Sequence, residues 1–398
     1  MAAVAAALLA CATTAGAEPN RSNEQLVTEE RQSAQRLTAA AEASRFVPVA
    51  PRRVLDTRSS GVPVGHGATV TVDLSGQTPA TATSVVLNVT GTQPTAATYV
   101  AVYSSDESLP ESSNLNLLRG QTRANAATVA LSQNRTVTLF NRAGSTHLVV
   151  DLAGFYATDQ GAGFTAQAPA RALDTRSRAP VGPRGVVNVN LNLPSPDRPS
   201  AVVLNVTAVQ ATTNTFVTAY TAGQPVPLAS SLNLGPGEAV PNQVTVPLDT
   251  GRTVTLFNGN GTVHLIVDVV GYYRDGSGSD YVSALPLRVM DTRPDHSGLH
   301  PDSAGISLTG WGEDIDAVAA NLTGTNATAA QYVVAWPGGS ARPNASNLNL
   351  VRGQTVANAV TVGIGYETMH DDYAVNFVNN AGYVDLIFDV AGFFITTT

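Results

Sequence analysis

One pentapeptide constrains this chain more than any other stretch, because it occurs three times. Val54-Leu55-Asp56-Thr57-Arg58 returns as Ala172-Leu173-Asp174-Thr175-Arg176 and as Val289-Met290-Asp291-Thr292-Arg293. The copies lie 118 and then 117 residues apart (Asp56 to Asp174, Asp174 to Asp291). The residues downstream of each copy repeat as well. Leu87-Asn88-Val89-Thr90 becomes Leu204-Asn205-Val206-Thr207 and then Asn321-Leu322-Thr323. Asn114-Leu115-Asn116-Leu117 becomes Ser231-Leu232-Asn233-Leu234 and Asn347-Leu348-Asn349-Leu350. Each unit closes on an aspartate, a glycine and aromatic residues: Asp151-Gly154-Tyr156, Asp268-Gly271-Tyr273 and Asp389-Gly392-Phe394. A period of this length is too long for a solenoid and suits whole domains in tandem.

Within each period, short runs rich in Val, Thr and alternating apolar residues sit between Gly, Pro and Asn turns, which is the pattern of β-strands. The first unit reads as eight strands, near 52–58, 69–74, 84–90, 98–103, 114–117, 126–131, 136–141 and 147–156. No helical periodicity separates them, so a helix-covered parallel sheet is excluded. The expected fold is all-β: three tandem β-sandwich, jelly-roll-like domains of about 115 residues each. Their spans are 46–157, 163–274 and 280–398. The joints 157–163 and 274–280 are short and rich in Gly, Asp and Ser, so modest bending between domains is expected.

The N-terminal region has a different texture. Residues 1–17 resemble a signal segment, with an apolar run and a small-x-small site at Ala15-Gly16-Ala17 but no basic n-region. Leu8-Leu9-Ala10-Cys11 also fits a lipobox, which would make Cys11, the only cysteine, a lipid anchor. Residues 18–45 read as a short helical or disordered tether. No window reaches the ~18–20 apolar residues that span a bilayer. The expected location is extracellular or at the cell surface.

Charge narrows the function classes. Only 13% of residues are charged, the net charge is −8, and every one of the 22 cations is arginine. Such a chain has no electrostatic footprint for DNA or RNA. No GxSxG, HExxH, P-loop or CxxC pattern occurs, so no catalytic residue, metal ligand or cofactor is assigned. In the third unit, Asp295, His296, His300 and Asp302 in one loop and His370, Asp371 and Asp372 in another could ligate a metal but read as solvated loops. Glu107 and Glu111 read as loop residues without acidic counterparts in the other units.

The repeated charges read as structure. Alternate residues of a strand share a face, so Asp56 and Arg58 should point one way. The expected ion pairs are Arg58 with Asp151, Arg176 with Asp268 and Arg293 with Asp389, leaving Asp56, Asp174 and Asp291 on the same face. The repeated asparagines should satisfy loop backbone. Gly154, Gly271 and Gly392 should mark a bulge or close packing.

One pattern points to a ligand. The fourth strand carries Tyr99 and Tyr103, then Phe216 and Tyr220, then Tyr332 and Trp336, each pair four apart and on one face. Large rings dominate cores, so the first expectation is that they point inward and the intervening valines point out. If they point outward, they form a flat row suited to sugar rings or an aromatic-rich protein interface, and these six are the candidate ligand-binding residues.

The set P/A-x-R-x-Leu-Asp-Thr-Arg, Leu-Asn-Val-Thr, Ser-Asn-Leu-Asn-Leu and Asp-Val-x-Gly-Tyr/Phe resembles a repeat domain of secreted proteins from actinobacteria and related high-GC bacteria. It covers residues 46–398. The resemblance implies an envelope or extracellular location and an accessory role. The expected function is non-enzymatic, multivalent attachment to a glycan or cell-envelope polymer, where several copies of one module gain avidity. The alternatives are a structural stalk or self-assembling fibre subunit and, behind it, an envelope hydrolase.

Overall fold

The computed structural model describes residues 42–193, 199–295, 297–301 and 305–396. The signal segment, Cys11 and most of the 18–45 tether lie outside the described residues, as do His296 and Asp302.

The first unit contributes β1 (Arg45–Asp56), β2 (Ala68–Asp73), β3 (Ala82–Thr92), β4 (Thr98–Ser104), β5 (Leu115–Leu117), β6 (Arg123–Ala130), β7 (Thr136–Asn141) and β8 (His147–Ala157). The second contributes β9 (Gly163–Asp174), β10 (Val186–Asn190), β11 (Pro199–Val209), β12 (Thr215–Thr221), β13 (Leu232–Leu234), β14 (Ala239–Pro247), β15 (Thr253–Asn258) and β16 (His264–Arg274). The third contributes β17 (Asp280–Asp291), β18 (Ile306–Trp311), β19 (Ile315–Thr325), β20 (Gln331–Pro337), β21 (Leu348–Leu350), β22 (Val356–Gly363), β23 (Gly365–Glu367), β24 (Asp372–Asn379) and β25 (Asp385–Ile395).

These strands build an all-β structure of six small antiparallel sheets. Each unit supplies one sheet in the order β1-β8-β3-β6 and one in the order β2-β7-β4-β5, or their equivalents. In the third unit β23 adds to β24. Between the two sheets of each unit lies one apolar core. In the first unit it takes Val85, Leu87 and Val89 from β3, Val150 and Leu152 from β8, and Val100, Val102 and Leu139 from the other sheet. The opposite face of β3 and β8 is buried too: Ser84, Val86, Thr90, Val149 and Asp151 are each at most 5% exposed. That face meets the other two units, so each inner sheet is covered on both sides while each outer sheet faces solvent.

Where the inner sheets meet, six aromatic rings form a hub. Phe46, Phe164 and Tyr281 come from the starts of β1, β9 and β17. Tyr156, Tyr273 and Phe394 come from the ends of β8, β16 and β25. Each first-strand ring packs on a last-strand ring of another unit: Phe46 on Tyr273 at 4.3 Å, Phe164 on Phe394 at 4.3 Å and Tyr281 on Tyr156 at 4.0 Å between centroids. The pairing runs one-two, two-three, three-one, which closes a ring. The Tyr156 and Tyr273 hydroxyls share a 2.6 Å hydrogen bond. Burial pushes all three hub phenols above their ordinary pKa. Gly154, Gly271 and Gly392 permit this packing. A Cβ on them would come within 2.2–2.3 Å of the ring or hydroxyl of Phe46, Phe164 or Tyr281. The ladder bulges beside them, since Val86 pairs Gly154 while Leu87 pairs Leu152.

Backbone pairing reaches into both joints. The Ala162 and Ser279 backbones bridge Phe46 and Phe164, and Ser44 bridges Tyr281 in the same way. At Ala162 and Ser279 the joint backbone is therefore paired rather than left to water.

Candidate functional site

The motif that organises the sequence does not lie wholly in a strand. β1 ends at Asp56, which is extended (φ −146°, ψ 98°) and caps a short helical turn, Thr57–Ser60, by accepting the Arg58 N–H. The turn breaks the alternation, so the expected pairs of Arg58, Arg176 and Arg293 with the last-strand aspartates do not form. Arg58 folds back on Asp56 at 2.6 Å, Arg176 on Asp174 at 2.6 Å and Arg293 on Asp291 at 2.5 Å.

A different arginine of the same motif holds the buried aspartate. Arg53 Nε donates to Asp151 Oδ1 at 3.0 Å and its Nη2 to Oδ2 at 3.3 Å, in the two-pronged geometry a guanidinium allows. Arg288 does the same for Asp389 at 2.8 and 3.3 Å, while Arg171 holds Asp268 through its Nε alone at 2.6 Å. Arg53, Arg171 and Arg288 also reach Asp56, Asp174 and Asp291. Each then crosses a seam. Arg53 donates to the Leu228 carbonyl of unit two, Arg171 to the Asn344 carbonyl of unit three, and Arg288 to the Glu111 carbonyl of unit one. The Arg58 and Arg176 guanidiniums bring Asp56 and Asp174 down to about 2. Burial instead raises Asp151, Asp268 and Asp389, against the pull of their arginines.

The repeated asparagines make the same circuit. Asn125, Asn242 and Asn358 satisfy loop backbone of their own unit, while Asn88, Asn205 and Asn321 satisfy that of a neighbouring unit. Asn88 donates to the Ser230 carbonyl at 2.8 Å, Asn205 to Ser346 at 2.8 Å and Asn321 to Ser113 at 3.0 Å. Their oxygens accept from Asn242, Asn358 and Asn125. Ser231 stands in for Asn114 and Asn347, and all three accept the N–H of the residue opposite on the fourth strand.

Among the described residues the motif aspartates Asp56, Asp174 and Asp291 and the last-strand Asp151, Asp268 and Asp389 are all paired with arginines rather than gathered in an open acid site. His147 and His264 meet the buried hydroxyls of Thr57 and Thr175 at 3.0 and 3.2 Å; in unit three Asp385 meets Thr292. The threonine oxygen already accepts the N–H of Leu148, Leu265 or Leu386, which joins the helical turn to the last strand. Asp371 accepts from the Tyr366 hydroxyl and Asp372 from the Gly310 N–H. Among the described residues no three His, Cys, Asp or Glu side chains gather as a metal site.

The fourth-strand aromatics do not point inward. Val100 and Val102, Val217 and Ala219, and Val333 and Ala335 belong to the cores, so the rings occupy the outer face of the outer sheet. A core between sheets about 10 Å apart is filled by Val and Leu from both sides, which leaves the rings outside. Nor do they form a fully open row. Tyr103, Tyr220 and Trp336 are 8%, 6% and 8% exposed, and Trp336 donates to the Ser340 carbonyl at 3.1 Å in the next loop. Tyr99, Phe216 and Tyr332 remain half-exposed. Tyr99 pairs with Phe140 at 6.1 Å, Phe216 with Phe257 at 6.0 Å, and Tyr332 packs on Val334, Trp336 and Val378. Beside the rings run hydroxyl and amide side chains, joined in Asn188–Thr255 (2.8 Å), Asn190–Thr253 (3.0 Å) and Ser307–Asn376 (2.6 Å) pairs.

Sequence reasoning did not single out Arg53, Arg171, Arg288 or the hub rings. Their signal was present: the arginine recurs five residues before the last residue of each pentapeptide, and an aromatic opens each unit.

No protein-family model and no curated protein matches the chain. Two solved viral structures align over most of its length. One is from the Sulfolobus turreted icosahedral virus, at 12% identity, with 89% of this chain and 92% of that one covered and a TM-score of 0.22. The other comes from work on the triple jelly roll fold and turret assembly of an archaeal virus, at 8% identity, 91% and 94% coverage and a TM-score of 0.19. At these scores the likeness carries no argument. Among the described residues no helix is long and apolar enough to cross a membrane.

Proposed function

We propose that this is a secreted or surface-attached, non-enzymatic protein. In this reading three jelly-roll-like sandwich domains, 46–157, 163–274 and 280–398, attach multivalently to a glycan or cell-envelope polymer; the resemblance to secreted actinobacterial repeat domains implies only the envelope or extracellular location and an accessory role. The observation that carries it is the outer face of each outer sheet. There a half-exposed ring (Tyr99, Phe216 or Tyr332) lies beside rows of hydroxyl and amide groups. Sugars offer an apolar ring face and a rim of hydroxyls, and such a surface answers both. The buried Asp–Arg sets are spent on holding the units together, which leaves recognition to the outward faces. Three such faces on one rigid ring gain avidity on a repetitive target.

The test is retention on insoluble peptidoglycan, cellulose and chitin of the intact chain and of the triple variant Tyr99→Ala, Phe216→Ala, Tyr332→Ala. Retention of the parent on at least one polymer, with loss in the variant, supports the reading. Equal retention of both removes it.

A further inference from the structure

The three outer faces are not equal, and the second unit differs in one direction. Asn214 and Asn260 stand where the other units have Ala97 and Ala143, or Ala330 and Ala381. Gly235 stands where they have the exposed Leu118 and Val351, and Gly259 where they have Arg142 and Asn380. Two large side chains are thus removed and two amides are added around one ring, Phe216. The Phe216 ring lies against the bare Cα of Gly259: a Cβ there would come within 2.4 Å of it. The result is an open groove of about 370 Å³ at the seam between units one and two. That lies within the ~300–1,000 Å³ of ordinary small-molecule sites.

The groove is walled by Phe216, Asn214, Asn233, Asn260, Gln121 and Glu238. Their existing bonds leave polar atoms for a ligand. Gln121 uses its oxygen on the Leu118 N–H, and Asn233 uses its oxygen on the Ser230 hydroxyl, so both keep amide hydrogens to donate. Among the described residues the Asn214 side chain makes no hydrogen bond. Glu238 is held by Arg123 at 3.0 Å and by the Gly235 N–H at 2.7 Å, so its charge is already met. A neutral ligand with one apolar face and several adjacent hydroxyls fits this set: amides both donate and accept, and the ring offers stacking.

We propose that this groove is a sugar-binding subsite for a neutral hexopyranose residue, specific to the second unit and completed by Gln121 of the first. It rests on the glycan reading above and assigns the discriminating contact to one of the three faces.

Saturation-transfer NMR on the full chain tests it, with the methyl β-glycosides of glucose, galactose, mannose and N-acetylglucosamine as probes at up to about 50 mM, the range in which weak single-sugar binding is read. The variants are Gly235→Leu, which restores the side chain of unit one, Asn214→Ala, and the pair Val62→Ala, Met369→Ala as a control at exposed positions outside the groove and the ring-bearing faces. Folding of each is checked by its thermal transition. The expected result is binding of at least one glycoside, weakened about tenfold or more by Gly235→Leu and Asn214→Ala and less than about twofold by the control pair. No transfer from any probe, or equal transfer in Gly235→Leu, overturns the inference. Retention of the parent chain on a polymer together with no glycoside binding sinks the groove alone. Failure of both sinks the groove and the polymer reading together.

Discussion

Ser44 and Tyr281 exchange two backbone hydrogen bonds, 2.9 Å from the Ser44 N–H and 2.7 Å from the Tyr281 N–H, across 237 residues of chain. Ala162 and Ser279 do the same work inside the two linkers. The stretch that precedes the first unit therefore takes the place of a third linker, and Arg45 adds an ion pair to Asp280 at 2.8 Å. Three units joined end to end become a closed ring.

The hub should be costly to empty. Phe46 is fully buried and touches Tyr156 and Tyr273. Phe46→Ala should cost ~3–5 kcal/mol, as large-to-small changes in packed aromatic sites do. Gly154→Ala should cost about 1–3 kcal/mol by overpacking the same ring. Urea denaturation followed by tryptophan fluorescence measures both. Losses under about half a kcal/mol, the size of an ordinary surface substitution, would mean that the hub yields.

The two arginines of the first motif should part company. Asp151 is 1% exposed, so Arg53→Ala strands a buried carboxylate and should cost ~3–5 kcal/mol. The Arg58 side chain is 48% exposed on a partly exposed partner, so Arg58→Ala should cost under about 1 kcal/mol. Calorimetric melting of the two variants side by side checks the order, and a larger loss in Arg58→Ala would reverse the assignment.

The seam asparagines should matter although they touch no core. Asn88→Ala leaves the Ser230 carbonyl and the Asn242 amide without their partner and should cost about 1–3 kcal/mol. The readout is the melting temperature at neutral pH. An unchanged value would show that water replaces the amide freely.

Acid should loosen the ring in a defined window. Asp56 and Asp174 fall from 3.8 unfolded to about 2 folded, so their contribution is complete above about pH 4. It is lost as pH falls through about 2, because the unfolded chain then binds the proton first. The raised Asp151, Asp268 and Asp389 work the other way, favouring folding when protonated. The Asp56→Asn, Asp174→Asn double variant should therefore show a shallower drop in melting temperature between about pH 4 and 2 than the parent chain. A parallel drop would place the acid sensitivity elsewhere.

Much of the local structure is legible in the sequence. The eight strands of the first unit come from the alternation of small apolar residues, and the Leu148, Val150 and Leu152 face does line the core. The partner of Asp151 is not legible, because Asp56 caps a turn, and a cap looks like a strand residue until the chain is seen to bend. The aromatic face misleads because ring size suggests burial, whereas Val100 and Val102 already fill the space between the sheets. The ring closure is hidden for a different reason. Asn88, Arg53 and Phe46 bond across units, and a repeat reveals that a residue recurs without revealing which copy it touches.

Hydrogen exchange across the whole chain in a Tyr273→Ala variant tests the closed ring most directly. Tyr273 belongs to unit two and stacks on Phe46 of unit one. If the units stand as one cooperative body, protection should fall together in β8, β16 and β25. Loss confined to β16 and its unit, with β8 and β25 as protected as in the parent chain, would mean three independent domains and no ring.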